Sequence, residues 1–228
     1  MKLKLGLSTL ALAAAAWAAP VWNTSADLTG TRVEGSELIT GNDFNTDGLT
    51  LSIAWNIAFS QNTNLWTYNY TFAGLSKNIS HVLLELSPNC LEQGSGCVQD
   101  PSVSTGNLGN TEYNGTWGPQ GKSNPGIDGY SISGVKFSLT SIKNGTLTFE
   151  SNRAPVWGDI YVKGGQGYAF NAGLKNHASE DVKLFVARPD TVIGRSGSET
   201  PEPSTMVMLG SGLALAAWIR RRKISSLS

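Results

Sequence analysis

Asp43, Asn45 and Asp47, followed by Gly48, have the spacing of a calcium loop. In a D-x-N-x-D-G run alternate side-chain oxygens converge on one hard cation, and the glycine allows the sharp turn. The twelfth position, where an EF-hand carries its bidentate acid, is Ala54. The residues after Gly48 also read as a strand, so an EF-hand is excluded. Calcium at this loop needs a carboxylate from elsewhere, and an Asx-rich turn leading into a strand is the plainer alternative. No other cofactor is expected.

Cys90 and Cys97 are the two cysteines of the chain, separated by the flexible Leu-Glu-Gln-Gly-Ser-Gly. In an oxidising compartment so close a pair predicts a disulfide. Closing so short a loop contributes about 2.5 kcal/mol in the chain-entropy picture. A metal site lacks partners, because His81 and His177, the two histidines, are distant in sequence.

Catalytic motifs are absent: there is no H-E-x-x-H, G-x-S-x-G, Walker loop or dinucleotide fingerprint. No catalytic residue is assigned, and a non-enzymatic protein is the expectation. His81 reads as structural and His177 as part of a surface turn. Glycoside hydrolysis needs only two carboxylates whose separation is set in three dimensions. Glu85, Glu150 and Asp159 lie in or beside strand patterns and are the candidates. Trp157, Tyr161, Tyr168 and Phe170, near Arg153 and Asp159, have the chemistry to stack on sugar rings. Aromatics in such strands more often fill the core.

The elements that position these groups are strands. Leu49 to Phe59 alternates, with Leu49, Leu51, Ile53, Trp55, Ile57 and Phe59 on one side and Thr50, Ser52, Ala54, Asn56, Ala58 and Ser60 on the other. Trp66, Tyr68, Tyr70 and Phe72 repeat the pattern against Leu65, Thr67, Asn69 and Thr71, and Gln61-Asn62-Thr63-Asn64 suits the hairpin turn between them. Val82, Leu84 and Leu86 continue. Ser87 to Gly126 reads as one long loop-rich stretch. Strand patterns resume at Gly134–Thr140, Thr146–Glu150, Trp157–Val162, Gly167–Asn171 and Asp181–Ala187, with Lys143-Asn144-Gly145 as a hairpin turn. Eight to ten short strands with no long helical period predict an all-β fold, an antiparallel β-sandwich of jelly-roll size, spanning residues 19–193. Residues 194–200 read as a flexible linker.

The two ends are of another character. Met1-Lys2-Leu3-Lys4 is a basic start, Leu5 to Ala16 is apolar, and Ala16-Trp17-Ala18 fits a small-x-small cleavage site. Residues 1–18 are expected to be a signal helix removed after Ala18 by signal peptidase. At the other end, Pro201-Glu202-Pro203 precedes an apolar run from Met206 to Ile219, then Arg220-Arg221-Arg222-Lys223. The run is about 21 Å of helix against roughly 30 Å of bilayer hydrocarbon. It is a short transmembrane helix over about 204–219, and the cations favour the cytoplasmic side, where residues 224–228 follow.

This tail, residues 201–223, resembles the PEP-CTERM sorting signal of exported proteins in Gram-negative bacteria that make extracellular polysaccharide. A tail of this kind also carries the label ice-binding protein C-terminal region, which describes the tail alone. The resemblance implies recognition of Pro201, Glu202 and Pro203 by exosortase, a membrane-embedded cysteine transpeptidase. It implies transient inner-membrane anchoring with the C-terminus in the cytoplasm, then cutting near the motif and release to the cell surface or beyond.

The zero net charge of the whole chain hides an asymmetry. Between residues 19 and 200 there are 11 Lys and Arg against 16 Asp and Glu. An acidic cargo argues against nucleic acid and anionic lipid as partners. The expected protein is a surface or matrix component with an adhesive or carbohydrate-binding role, extracellular polysaccharide being the partner. The alternative is a secreted β-sandwich hydrolase acting on polysaccharide.

Overall fold

The computed structural model describes residues 25–193, apart from 43, 45–47, 88–89, 91–95 and 119–123, with the side chains of 190–193 also left aside. The signal segment with Ala16 and Ala18, the Asp43–Asn45–Asp47 triad, the linker and the tail lie outside the described residues. The chain divides into two units between Gly194 and Arg195. Among the described residues no helix is long and apolar enough to cross a membrane.

The strands are β1 (Thr29–Val33), β2 (Leu38–Gly41), β3 (Ser52–Ser60), β4 (Leu65–Ala73), β5 (Ile79–Glu85), β6 (Gln99–Val103) and β7 (Asn107–Trp117). Then follow β8 (Ile132–Ile142), β9 (Gly145–Ser151), β10 (Arg153–Gly158), β11 (Ile160–Gly164), β12 (Gly167–Asn171) and β13 (Val186–Ile193). All pair antiparallel, in a five-stranded sheet β1-β3-β4-β9-β6, a six-stranded sheet β2-β12-β11-β5-β8-β7 and a ribbon β10-β13. The expected all-β class is therefore what the chain adopts.

The alternation of β3 and β4 decides which side goes inward. Ile53, Trp55, Ile57, Trp66, Tyr68, Tyr70 and Phe72 are buried. They share one core with Val82, Leu84, Phe137 and Val162 of the six-stranded sheet and with Trp157, Val186 and Ala187 of the ribbon. Phe149 sits at the centre of an aromatic stack, 5.2 Å from Tyr68, 6.0 Å from Tyr70 and 5.7 Å across the core from Phe137. The hydroxyls of Tyr68 and Tyr70 donate to the carbonyls of Arg153 (2.9 Å) and Ala187 (2.6 Å), pinning the ribbon to β4. Burial raises the Tyr70 phenol far above its ordinary value, so it stays a donor.

Several expectations need correction. The stretch 87–126 is not one loop: it contains β6 and the eleven-residue β7. Gly109, Asn114 and Gly115 hide the pattern of β7, and two register shifts against β8 break its alternation. Lys143-Asn144-Gly145 is not a hairpin turn, because β8 and β9 belong to different sheets and the segment turns a corner between them. Trp157–Val162 is two strands, broken at Asp159 where the chain leaves the ribbon for the six-stranded sheet. Asp181–Ala187 begins as a 3-10 turn, Val182–Leu184, whose entry is capped by Asp181 accepting from Lys183 N at 3.0 Å. The Gln61–Asn64 hairpin holds, with Asn64 at φ 58°, a left-handed position asparagine tolerates.

Both ends of the described chain meet on one strand. Ser25 bridges Val156, and Ile193 pairs with Arg153, so β10 carries the entering chain on one side and the leaving chain on the other.

Candidate functional site

The outer face of the five-stranded sheet is built from the residues that alternation leaves outside. Register aligns Thr29, Asn56, Asn69, Thr148 and Ser102 in one row across all five strands. A second row holds Thr31, Ala54, Thr71 and Thr146, and a third Ala58, Thr67, Glu150 and Gln99. Rows lie about 7 Å apart and strands about 4.8 Å apart. Glu150 is the one charged residue in these rows. Thr71 and Thr146 share a hydroxyl hydrogen bond at 2.9 Å, Thr148 donates to Asn69 Oδ1 at 2.8 Å, and Asn69 Nδ2 donates to Asn56 O at 3.2 Å. These bonds fix the orientation of the amides and hydroxyls before any ligand arrives.

The outer face of the six-stranded sheet is apolar and covered. Tyr161, Phe170 and Leu83 are buried there beneath Ile127, Ile132 and Leu174, with Tyr168, Tyr130 and Trp117 half-exposed around them. Tyr161, Tyr168 and Phe170 form a parallel stack with centroids 5.9 to 6.4 Å apart. Lys175 Nζ lies 5.1 Å from the Phe170 ring centre. The segment from Asn124 to Ile132 roofs this stack: Tyr161 donates to Pro125 O at 3.1 Å, and Gly126 packs on the Tyr168 ring. Of the aromatics weighed for sugar stacking, Trp157, Tyr161 and Phe170 are therefore core residues, and Tyr168 is half-exposed. His81 Nε2 lies 3.1 Å from Asn124 Oδ1. Burial, aided by Lys136 and Lys163, pushes its pKa down to about 4 against the raising effects of the Asn124 bond and Glu112, so the ring is neutral and structural.

A charged cluster occupies the junction of β10 and β11. Glu85 N donates to Asp159 O and Asp159 N donates to Glu85 Oε2, each at 2.9 Å. Arg188 Nε stands 3.3 Å from Glu85 Oε2, and its Nη1 donates to Ser87 Oγ at 3.0 Å. Asn171 Nδ2 donates to Asp159 Oδ1 at 2.6 Å and Leu184 O at 2.8 Å, while its Oδ1 accepts from Ile160 N. His177 Nδ1 approaches Asp159 Oδ2 at 3.4 Å. Burial first, then the Glu85 carboxylate, pushes the Asp159 pKa up to about 8, against the lowering effect of Asn171 and Arg188. Glu85 and Asp159 are thus brought together; Glu150 lies on the other sheet. Arg188 and Asn171 escaped sequence reasoning, and His177, read as part of a surface turn, reaches the cluster from that turn. The available signal was a charge inside an apolar run, as in Phe185-Val186-Ala187-Arg188, which burial tolerates only with partners.

A second buried cation, Arg32, lies between Trp55 and Trp157, 4.7 and 5.5 Å from their ring centres. It donates to Phe185 O at 2.7 Å and Val182 O at 2.9 Å. Cys90 and Cys97 form the expected disulfide, with Cα atoms 5.4 Å apart. Among the described residues no group of three or more His, Cys, Asp or Glu is placed to hold a metal ion.

Residues 199–223 match the family model of the PEP-CTERM protein-sorting motif. That motif implies an exported protein processed by an exosortase and anchored transiently by its C-terminal tail. No curated protein and no solved structure matches the chain.

Proposed function

We propose that the chain is a non-enzymatic surface or matrix protein of a Gram-negative bacterium, whose β domain adheres to neutral extracellular polysaccharide through the outer face of the five-stranded sheet. The observation that carries this reading is the register-aligned lattice of Thr, Asn and Ser, nearly free of charge on an otherwise acidic cargo. A polyhydroxylated neutral chain exchanges its water hydrogen bonds for those of fixed amides and hydroxyls and meets one charge in these rows, Glu150. In the same proposal Arg220–Lys223 stay in the cytoplasm, the chain is cut beside Pro201–Pro203, and the domain is delivered to the surface.

The test is retention of the mature protein on the polysaccharide of its own producer. Asn56→Asp and Thr71→Glu, which place charge on the lattice, should lower retention at least tenfold, the effect of about 1.4 kcal/mol. Tyr130→Ala, in the roof over the other sheet, should leave it unchanged. Loss with Tyr130→Ala alone would move the site to the roofed face. Replacing Pro201, Glu202 and Pro203 by alanine should leave the tail uncut in membrane fractions, as mass spectrometry of the C-terminus reads directly.

One observation favours the hydrolase reading: Asp159, held neutral beside Glu85, has the pairing of an acid with a second carboxylate. Against it, Asp159 and Arg188 are each 1 % exposed, out of reach of a polymer. Release of reducing ends by the mature protein, abolished by Glu85→Gln, would establish hydrolysis in place of adhesion.

A further inference from the structure

We propose that Asp159 and His177 form a proton-operated latch that holds the segment 172–185 against the β domain. The segment is a strap. It leaves β12 as a 3-10 turn, Ala172–Lys175, runs exposed from Lys175 to Ala178, and re-enters through Val182–Leu184 to the buried Phe185. Its N-terminal end is fastened by Ala172 N, which donates to Glu37 O at 2.9 Å, and its C-terminal end by Asn171 and Arg32, which bind the carbonyls of Leu184, Val182 and Phe185. Its middle has a different fastening, the approach of His177, 44 % exposed, to the buried Asp159 Oδ2. That oxygen has no hydrogen-bond partner within ordinary distance.

The groups facing Asp159 decide how a proton acts. Glu85 from β5 adds negative charge, Arg188 from β13 offsets it while paired to Glu85, and Asn171 from β12 occupies Oδ1. Further out on the strap, Lys175 lies on Phe170, and Asp181 is exposed and acts on Arg32 from a distance. In its neutral form Asp159 carries a hydroxyl at Oδ2 that can donate to His177 Nδ1. Ionised, it is a second buried carboxylate beside Glu85, and lifting the strap admits water to it.

The sign follows from the raised carboxyl. Between its unfolded value near 4 and its folded value of about 8, the closed form binds one more proton than the open chain. The stabilisation is fully present below the unfolded value and is lost as pH rises through the folded one. The latch, which needs an unprotonated His177 Nδ1 as acceptor, is thus closed near neutral pH and opens under alkali.

Lys175 and Lys183 are exposed on the strap and report its opening to trypsin. For the mature protein, cutting there, normalised to a peptide substrate at each pH, should rise about tenfold between roughly pH 6 and pH 9.5. In Asp159→Asn, whose amide keeps a donor and cannot ionise, the rise should be below about twofold. An equal rise in both proteins overturns the proposal. A measurement on the unaltered protein gives a second check: the infrared carbonyl band of a protonated buried carboxyl should be present at the lower pH and absent at the higher. Its absence at the lower pH also overturns the latch. Neither readout depends on polysaccharide binding.

Discussion

The two sheets bury similar side chains inward and treat their outer faces in opposite ways. The five-stranded sheet turns Thr, Asn, Ser and Ala to the outside, with nothing among the described residues laid over its centre. The six-stranded sheet turns Leu83, Tyr161 and Phe170 outward and then covers them with a roof and a strap. The roofed face adds a second small core and stores stability. The open face contributes little to stability and is free to be selected for what it touches. This division keeps the open face out of the stability of the fold.

The largest effect should come from the roofed face. Phe170→Ala removes a fully buried ring stacked on Tyr161 and Tyr168 and leaves a cavity under Leu174. It should cost about 3–5 kcal/mol in denaturant unfolding. A loss below about 1 kcal/mol would mean that the roof collapses to fill the space and that the second core is soft.

Next is the disulfide. Cys90 and Cys97 close a loop just before β6, the edge strand of the open sheet. Replacing both by serine should cost about 2.5 kcal/mol. Hydrogen exchange should show the loosening concentrated in β6, with β11 and β12 unchanged. Uniform loosening would show that the two faces are not separable.

Gly158 tests the charged junction between ribbon and sheet. A Cβ there would fall 2.6 Å from Arg188 Cδ and 2.6 Å from Glu85 Oε2, and the fully buried Arg188 has little room to yield. Gly158→Ala should cost about 2 kcal/mol, as overpacking does, and should disturb the strap more than the lattice. Gly165→Ala is the contrast: nothing lies within 4 Å, and the cost, about 1 kcal/mol, is the strain of a glycine at φ 61°.

The open face was half legible in the sequence and the roofed face scarcely so. Thr50 to Ser60 and Leu65 to Thr71 showed their polar sides by period two alone, because one face is wet and one is dry. That Thr146 and Thr148 extend the same rows depends on β9 pairing with β4, a contact between residues 79 apart that no local pattern announces. The same blindness turned Asn144-Gly145 into a hairpin, since turn chemistry sets local curvature and says nothing of which sheet follows. Glu85, Asp159 and Arg188 were visible as charges in apolar runs, but their meeting joins β5, the break between β10 and β11, and β13. The sorting tail was the most readable part, because its function lies in composition and order along the chain and needs no fold.

The smallest expected effect on stability decides most about function. Thr71 is exposed at the middle of β4, opposite Ala54 and Thr146, and its hydroxyl meets only that of Thr146. Thr71→Val keeps the β-branched shape and should change unfolding free energy by less than about 0.5 kcal/mol. It also removes one donor and acceptor from the middle of a row, and leaves Thr146 with water in place of its partner. If the lattice binds polysaccharide, retention should fall measurably while the melting curve stays where it was. The double variant Thr71→Val with Thr146→Val should fall by less than the sum of the two singles, because each single already loses the orientation that the pair shares. A retention curve unmoved by both would leave this face as an inert solvated surface and would shift the search for the ligand to the half-exposed rings of Trp117, Tyr130 and Tyr168.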